Sequence, residues 1–411
     1  MSMKILTHIQ GIVTPRQDLS FGKLDIRQDV GIAFEDEHIT AIDSIDTLRQ
    51  RYPDAEDIDG KNCWALPGFV DPHTHPVFYK TREDEFEMRI QGKSYEEIAA
   101  EGGGIRNSVR AFRKASFQEL MDLTYQRILQ FLEYGTTTIE AKSGYGLSLE
   151  DELKSLRILK KIGQILPITI VPTFLGAHEV PDEYQNSRQV YIDIIINEMI
   201  PAVAEENLAE FCDVFTEKNV FNIAESEKIL QAAKDHGLQL KLHADELSPL
   251  GGAELAAKMG AVSADHLLMI SEKGITAMKE SGVVAVLLPG TAFFLGKSHY
   301  APARKMIQAG VKVALATDYN PGSSFTQNMN LILSLACTQM KMIPAEAIWG
   351  ATLNSAVSIL REKTVGSLEV GKKADIVLFD VPNFRYIPYH YGMNHVKMVI
   401  RHGNIVINRP E

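Results

Sequence analysis

The sequence predicts an α/β protein, a (β/α)8 barrel carrying a small β-sandwich built from the N- and C-terminal segments. Eight short apolar runs recur in order through the middle of the chain, separated by longer stretches of helical periodicity. Nearly every one of these runs ends in a polar cluster. The two ends of the chain read like each other, as short strands with tight turns, and unlike the middle. The expected division is a composite sandwich from residues 1–65 plus 363–411 and a barrel from residues 66–362.

Taken in order, Ile5, His8, Ile12 and Val13 lie in a strand-like stretch. Val30–Phe34 and His38–Ile42 then flank the acidic turn Glu35-Asp36-Glu37, which reads as a hairpin. The candidate barrel strands are Leu66–Asp71, Thr136–Glu140, Ile168–Thr173, Phe211–Phe215, Leu238–His243, Val262–His266, Val283–Leu288 and Val311–Thr317. Between them, Phe117–Glu133, Leu149–Ile162, Ile223–Asp235 and Gly252–Met259 carry apolar residues at helical spacing. Past Gly371-Lys372-Lys373 comes the apolar strand Ala374–Phe379. His395–Ile400 and Ile405–Ile407 flank Arg401-His402-Gly403-Asn404, a second hairpin with Gly-Asn expected at its tip. Pairing of the two terminal sets would bring the ends of the chain together. A doubly wound open sheet would show the same alternation. The polar strand ends favour the barrel, because such ends converge at a barrel's C-terminal mouth.

Composition narrows the function classes. The chain has 411 residues, 45% hydrophobic and 23% charged, enough for a barrel of about 250 residues plus a smaller module. Its net charge of −11 offers no basic field for nucleic acid, so none is expected as a partner. An anionic ligand would need a local cation, which gives single arginines near the strand ends their interest. Cys63, Cys212 and Cys337 are too few and too scattered for a disulfide framework and, like the methionines, read as core filling. Met1–Gln10 has no signal-peptide pattern, and no apolar run is long enough to span a membrane, so a cytoplasmic enzyme is the expectation.

The chemistry lies at the strand ends. His73-Thr74-His75 follows the first barrel strand, and residues two apart in extended chain point the same way, so both imidazoles can meet one ion. Alone, such a pair is more often two surface or capping histidines. Leu240-Lys-Leu-His-Ala-Asp-Glu246 places His243 at the fifth strand's end with Glu246 three residues on. A carboxylate so placed can carry a proton from water to a leaving nitrogen. Ser263-Ala-Asp-His266 ends the sixth strand on a histidine, and Ala314-Leu-Ala-Thr-Asp318 ends the eighth on a carboxylate. Four strand ends with metal-competent side chains point to one site.

Pro67–His75 with His243, His266 and Asp318 resembles the amidohydrolase superfamily. Six stretches narrow the resemblance to its members that open a cyclic amide. They are Arg82–Glu87, Gly102–Ile105, Lys142–Leu147, Thr173–His178, His243–Glu246 and Thr317–Ser324. The resemblance covers almost the whole chain. It implies one Zn²⁺ or Fe ion per subunit on His73, His75, His243 and Asp318. It implies substrate contacts from Arg82, Tyr145, His178 and Glu246, product contacts from Asn320, Gly322 and Ser323, and a homodimer. The implied reaction is hydrolysis of the ring amide of 4-imidazolone-5-propanoate, a step of histidine degradation. Glu246 is the expected proton carrier, supported by His266 just off the metal. Asp318 orients water, and His178 and His266 face the developing oxyanion. The chain departs from the pattern at Pro76, Tyr79-Lys80, Ala141 and Arg106-Asn107.

Each residue also has a reading of its own. Arg82 offers a planar fork for a carboxylate, or a surface ion pair with Glu83 or Asp84. Tyr145 sits between glycines that permit close ligand approach, or in a plain turn. Asn320-Pro-Gly-Ser323 can offer donors to a carboxylate, or form an ordinary β-turn. Glu217 is expected to support the site by a hydrogen bond rather than to hold a second metal, and Lys218 lies beyond the fourth strand's end, which argues against a lysine-bridged two-metal centre. Two rival functions remain at this stage. One is an aromatic deaminase, for which the His243/Glu246 spacing also serves, and the other is a catalytically silent scaffold on the same fold.

Overall fold

In the computed structural model the described residues are 3–93, 97–98 and 103–410. Gly102 of the Gly102–Ile105 stretch, and Met1, Ser2 and Glu411 at the ends of the expected sandwich segments, lie outside the described residues. Seven strands precede the barrel: β1 (Met3–Thr7), β2 (Gly11–Thr14), β3 (Asp25–Arg27), β4 (Gly31–Glu35), β5 (His38–Asp43), β6 (Glu56–Asp59) and β7 (Trp64–Pro67). The barrel strands are β8 (Phe69–Asp71), β9 (Thr136–Lys142), β10 (Thr169–Ala177), β11 (Phe211–Thr216), β12 (Gln239–Ala244), β13 (Ser263–His266), β14 (Val284–Leu287) and β15 (Val313–Leu315). Last come β16 (Ile376–Phe379), β17 (Val396–Arg401) and β18 (Asn404–Asn408).

Strands β8 to β15 pair in sequence order, each parallel to the next, as the alternation predicts. The helices between them start on strong caps. Ser116 with Glu119 and Asn222 with Glu225 form capping boxes, and Ser148 caps Leu149–Ile165. The ring closes where β8 and β15 run out. Asp318 N donates to His73 O (3.1 Å), His75 N donates to Tyr319 O (2.8 Å), and Thr74 bridges Tyr319 in parallel. An open sheet is thereby excluded. Just below the seam, the buried Asp71 carboxylate accepts Thr317 N (3.1 Å) and Thr317 Oγ1 (2.5 Å), and burial pushes its pKa up to about 7.

The terminal segments form two sheets, ordered β5-β4-β1-β6 and β18-β17-β16-β7-β2-β3. The second joins the two ends of the chain, β16 pairing antiparallel with β7. Leu6, Ile12, Ile32, Phe34, Ile376, Leu378 and Ile400 fill the core between them. Two readings change. Leu66–Asp71 is two strands, because Gly68 breaks it: Leu66 and Pro67 pair in the terminal sheet while Phe69 enters the barrel. A Cβ at Gly68 would collide with the Thr137 side chain, so only glycine passes there. The tip of the last hairpin is His402-Gly403, both at positive φ (+49° and +72°), not Gly-Asn, since a two-residue turn of that hand needs both central residues there.

Candidate active site

The expected residues meet at the C-terminal mouth of the barrel. His73 and His75 lie on the seam after β8, His243 in β12, His266 at the end of β13 and Asp318 on the seam after β15. All five are buried. One ligand atom from each of His73, His75 and His243 lies within 4.8 Å of the others, and the same holds for His73, His266 and Asp318. His73 Nε2 stands 3.2 Å from His75 Nε2, and Asp318 Oδ1 is 3.5 Å from each. Burial holds His73, His75 and His266 well below the usual imidazole pKa, hence neutral.

This donor set fits a cation. His73 Nδ1 lies 2.6 Å from Asp265 Oδ2, and a carboxylate accepts, so the ring proton sits on Nδ1 and Nε2 presents a bare lone pair. His243 also faces a carboxylate, its Nδ1 2.9 Å from Asp213 Oδ2, and its backbone N–H donates to Asp213 Oδ1 (3.1 Å). Burial opposes its charge but Asp213 outweighs it, so its pKa is raised. Thr291 Oγ1 donates to Asp318 Oδ2 (2.6 Å), which leaves Oδ1 turned towards the imidazoles. Imidazole nitrogens and one carboxylate are ligands suited to Zn²⁺ or Fe.

Beneath this layer the barrel interior is charged. Lys142 Nζ lies 2.7 Å from Glu140 Oε1 and 2.8 Å from Asp213 Oδ2, and Lys241 Nζ lies 2.7 Å from Ser263 Oγ and 3.8 Å from Asp265 Oδ2. Burial opposes the charge on Lys142, but Asp213, Glu140 and Asp265 outweigh it and its pKa is raised. Sequence reasoning overlooked Glu140, Lys142, Asp213, Lys241 and Asp265. A signal was there: Glu140/Lys142, Lys241/His243 and Ser263/Asp265 are polar pairs two residues apart in apolar strands, the spacing that sends both side chains inward.

Glu246 stands beside the donor cluster, its Oε1 3.6 Å from His266 Nδ1. Burial, then the nearby Asp318 charge, push its pKa up to about 7. Glu217 supports it, since its carboxylate accepts the backbone N–H of Leu247 (2.9 Å) and Ser248 (3.2 Å) and so ties down the turn after Glu246. Lys218 is exposed, away from the donors. His178 Nδ1 is 2.8 Å from Gly144 O, and a carbonyl only accepts, so its one ring proton is committed there. Burial, then the nearby His243 charge, lower its pKa to about 3, so this neutral ring offers an acceptor at Nε2 and cannot donate to an oxyanion as expected. Tyr145 is buried and lies edge-on to the His75 and His178 rings, which stack on each other. Its loop is held by Glu152, which accepts from the backbone of Gly144, Gly146 and Leu147.

Arg82 is partly buried, its side chain 12% exposed, and it pairs with Glu85 rather than with Glu83 or Asp84. Its Nε and Nη2 donate to Glu85 Oε2 (2.8 and 2.6 Å), and Glu85 Oε1 accepts Gly104 N (3.0 Å). Its Nη1 packs so tightly on Gly322 that a Cβ there would collide with it. The loops after β8 and β15 thus meet through Arg82. In Asn320-Pro-Gly-Ser323, Asn320 Oδ1 accepts Gly322 N and Ser323 N (2.8 Å each), so the backbone donors expected for a ligand carboxylate already serve the turn itself. Ser323 Oγ stays near Asp318, 3.5 Å from Oδ2. Arg127 braces the same region, donating to the carbonyls of Pro76 and Phe78 and stacking on the Phe78 ring at 3.5 Å.

The family profile described as "Amidohydrolase family" matches residues 64–406. The imidazolonepropionase of Brevibacillus brevis is 49% identical over 408 residues, covering 98% of this chain and 96% of that one. The imidazolonepropionase of Alkaliphilus metalliredigens is 46% identical over 403 residues, with the same coverage of both chains. Among solved structures, E. coli guanine deaminase superposes with a TM-score of 0.77 over 100% of each chain at 16% identity, a likeness of fold. A barrel whose mouth gathers these donors, on a chain this similar to those two enzymes from end to end, belongs to the amidohydrolase family and within it to the imidazolonepropionases.

Proposed function

We propose that the chain hydrolyses the ring amide of 4-imidazolone-5-propanoate to N-formimidoyl-L-glutamate, with one Zn²⁺ or Fe ion held by His73, His75, His243 and Asp318. The observation that carries the reading is a partly buried carboxyl, Glu246, 3.6 Å from His266 and beside converging imidazole nitrogens and Asp318. A cation bound there would acidify water, lowering its pKa towards about 7, and polarise the amide carbonyl. The protein's own residues do the rest. Glu246 takes the proton of the attacking water and returns it to the ring nitrogen as the C–N bond breaks. His266, 3.6 Å from Glu246, is the candidate donor to the oxyanion. His178, bare at Nε2, suits a ring N–H of the substrate. Arg82 and Tyr145 hold the propionate, and Asn320, Gly322 and Ser323 shape the wall that the product leaves against.

The test is incubation of metal-replete protein with 4-imidazolone-5-propanoate, following ring absorbance and identifying the product by mass. Loss of the ring with formation of N-formimidoyl-L-glutamate is expected. A metal-replete protein that leaves the ring intact would sink the proposal.

A further inference from the structure

We infer that Lys142 is a positioning residue for the metal site, a fixed internal cation that holds Asp213 and, together with Lys241, Asp265, and through them aims the rings of His243 and His73. Lys142 ends β9, has no solvent exposure, and reaches neither imidazole in the hydrogen bonds and ion pairs of the described residues. Its ammonium lies 2.8 Å from Asp213 Oδ2 and 3.9 Å from Asp265 Oδ2. Those same two oxygens lie 2.9 Å from His243 Nδ1 and 2.6 Å from His73 Nδ1. One ammonium therefore stands behind both carboxylates that orient ligand imidazoles. Glu140, 2.7 Å away, completes its partners and touches the seam itself, accepting Thr74 N at 3.4 Å.

The layout follows from charge. Glu140, Asp213 and Asp265 converge in a water-poor barrel interior, where like charges repel more strongly than in water. A central ammonium lets all three stay close, each with an oxygen turned inward. Removing it frees the carboxylates to swing apart, and the imidazoles lose the acceptors that fix their orientation and tautomer.

This role makes a prediction of distinctive sign. An ammonium and a metal ion repel, so if Lys142 acted only through its field, its removal would tighten metal binding. If it positions ligands, removal weakens binding. The measurement is the Zn²⁺ affinity of the whole chain, stripped by chelator and titrated against a chromophoric competitor. Lys142→Met is expected to bind Zn²⁺ at least about tenfold more weakly, within the usual range for groups that support metal ligands. Equal or tighter binding overturns the inference. Asp213→Asn should weaken binding similarly, and the double variant by less than the product of the two factors, because both changes break one chain of contacts. Independent, multiplying effects overturn it too. Should Lys142→Met fail to fold, Asp213→Asn decides: wild-type affinity in that variant overturns the inference. The inference rests on the ligand assignment proposed above. His75→Ala separates the two, since His75 bonds neither carboxylate among the described residues. Undiminished Zn²⁺ affinity there would fail the ligand assignment rather than the role of Lys142.

Discussion

The barrel mouth and the terminal sheets are both framed by β-strands and both exclude water, yet they treat buried charge in opposite ways. In the terminal sheets, the buried carboxylate of Asp375 accepts the backbone N–H of His402 (2.8 Å) and secures the last hairpin. At the mouth, Asp213 and Asp265 face imidazole nitrogens of His243 and His73 and are backed by lysines, although Asp213 also accepts the His243 backbone N–H. A buried carboxylate that serves the backbone supports the fold. One that serves side chains, whose other atoms converge on a common point, supports chemistry. The apolar cores differ too. That of the terminal sheets, from Phe34 to Ile376, can be altered without touching any donor of the site.

The largest effect that this contrast predicts is for the donors themselves. His243→Ala should lose bound metal and turnover together while keeping its circular dichroism spectrum; near-normal turnover without metal would remove the basis of the site. Glu246→Gln should lower kcat by roughly 10²–10⁴-fold with metal content unchanged, read by steady-state kinetics and elemental analysis. In the other region, Phe34→Ala should cost about 3–5 kcal/mol in a denaturant titration, yet leave the metal content and kcat of the folded enzyme as they were. A parallel loss of metal would mean that the two regions are not independent. Arg82→Ala should raise KM by roughly 10–100-fold with a smaller change in kcat, the loss expected for a charge-assisted carboxylate contact. An unchanged KM would point to a substrate without a carboxylate, as for a deaminase.

The smallest effect is one of pH. Burial pushes Asp375 up to about 6 from an ordinary value near 3.8. The folded protein then holds a proton that the unfolded chain has released, so stability falls as pH rises from about 4 to about 6 and is level above that. Asp375→Asn can still accept the His402 N–H and has no such proton to lose. Its advantage over the wild type should appear across that window and reach at most about 3 kcal/mol, measured as thermal midpoints from pH 4 to 8. Zn²⁺ affinity at neutral pH should be unchanged, in contrast to Asp213→Asn.

Much of the mouth was legible because its residues fall at strand ends, where an apolar run stops on a polar side chain. His243 closing Leu240–Leu242 and Asp318 closing Ala314–Thr317 are of this kind, and so is the His73/His75 pair at spacing two. Lys142 and Asp213 were not read, because a charged residue inside a buried strand looks like an interruption until its partners are known. Their partners come from β9, β11, β12 and β13, which no local window joins. Arg82 was read as a choice between ligand contact and surface pair, and local charge favoured Glu83 or Asp84. Helix geometry gave the pair to Glu85 instead, three residues on and facing inward.

From the sequence alone came the order of eight strands, the composite terminal module and the residue types at the mouth, all of which follow from local periodicity and turn chemistry. Tertiary structure decided the rest. It split the first barrel strand at Gly68, because the Thr137 side chain of β9 leaves no room there for a Cβ. It assigned the ring proton of His178 to Gly144 O and so made that histidine an acceptor. It also set two lysines beneath the donors, since only the closed ring brings their carboxylate partners within reach. Propensity and spacing act over a few residues, whereas charge pairing acts across space, and in this barrel the second kind of force sets how the site is held.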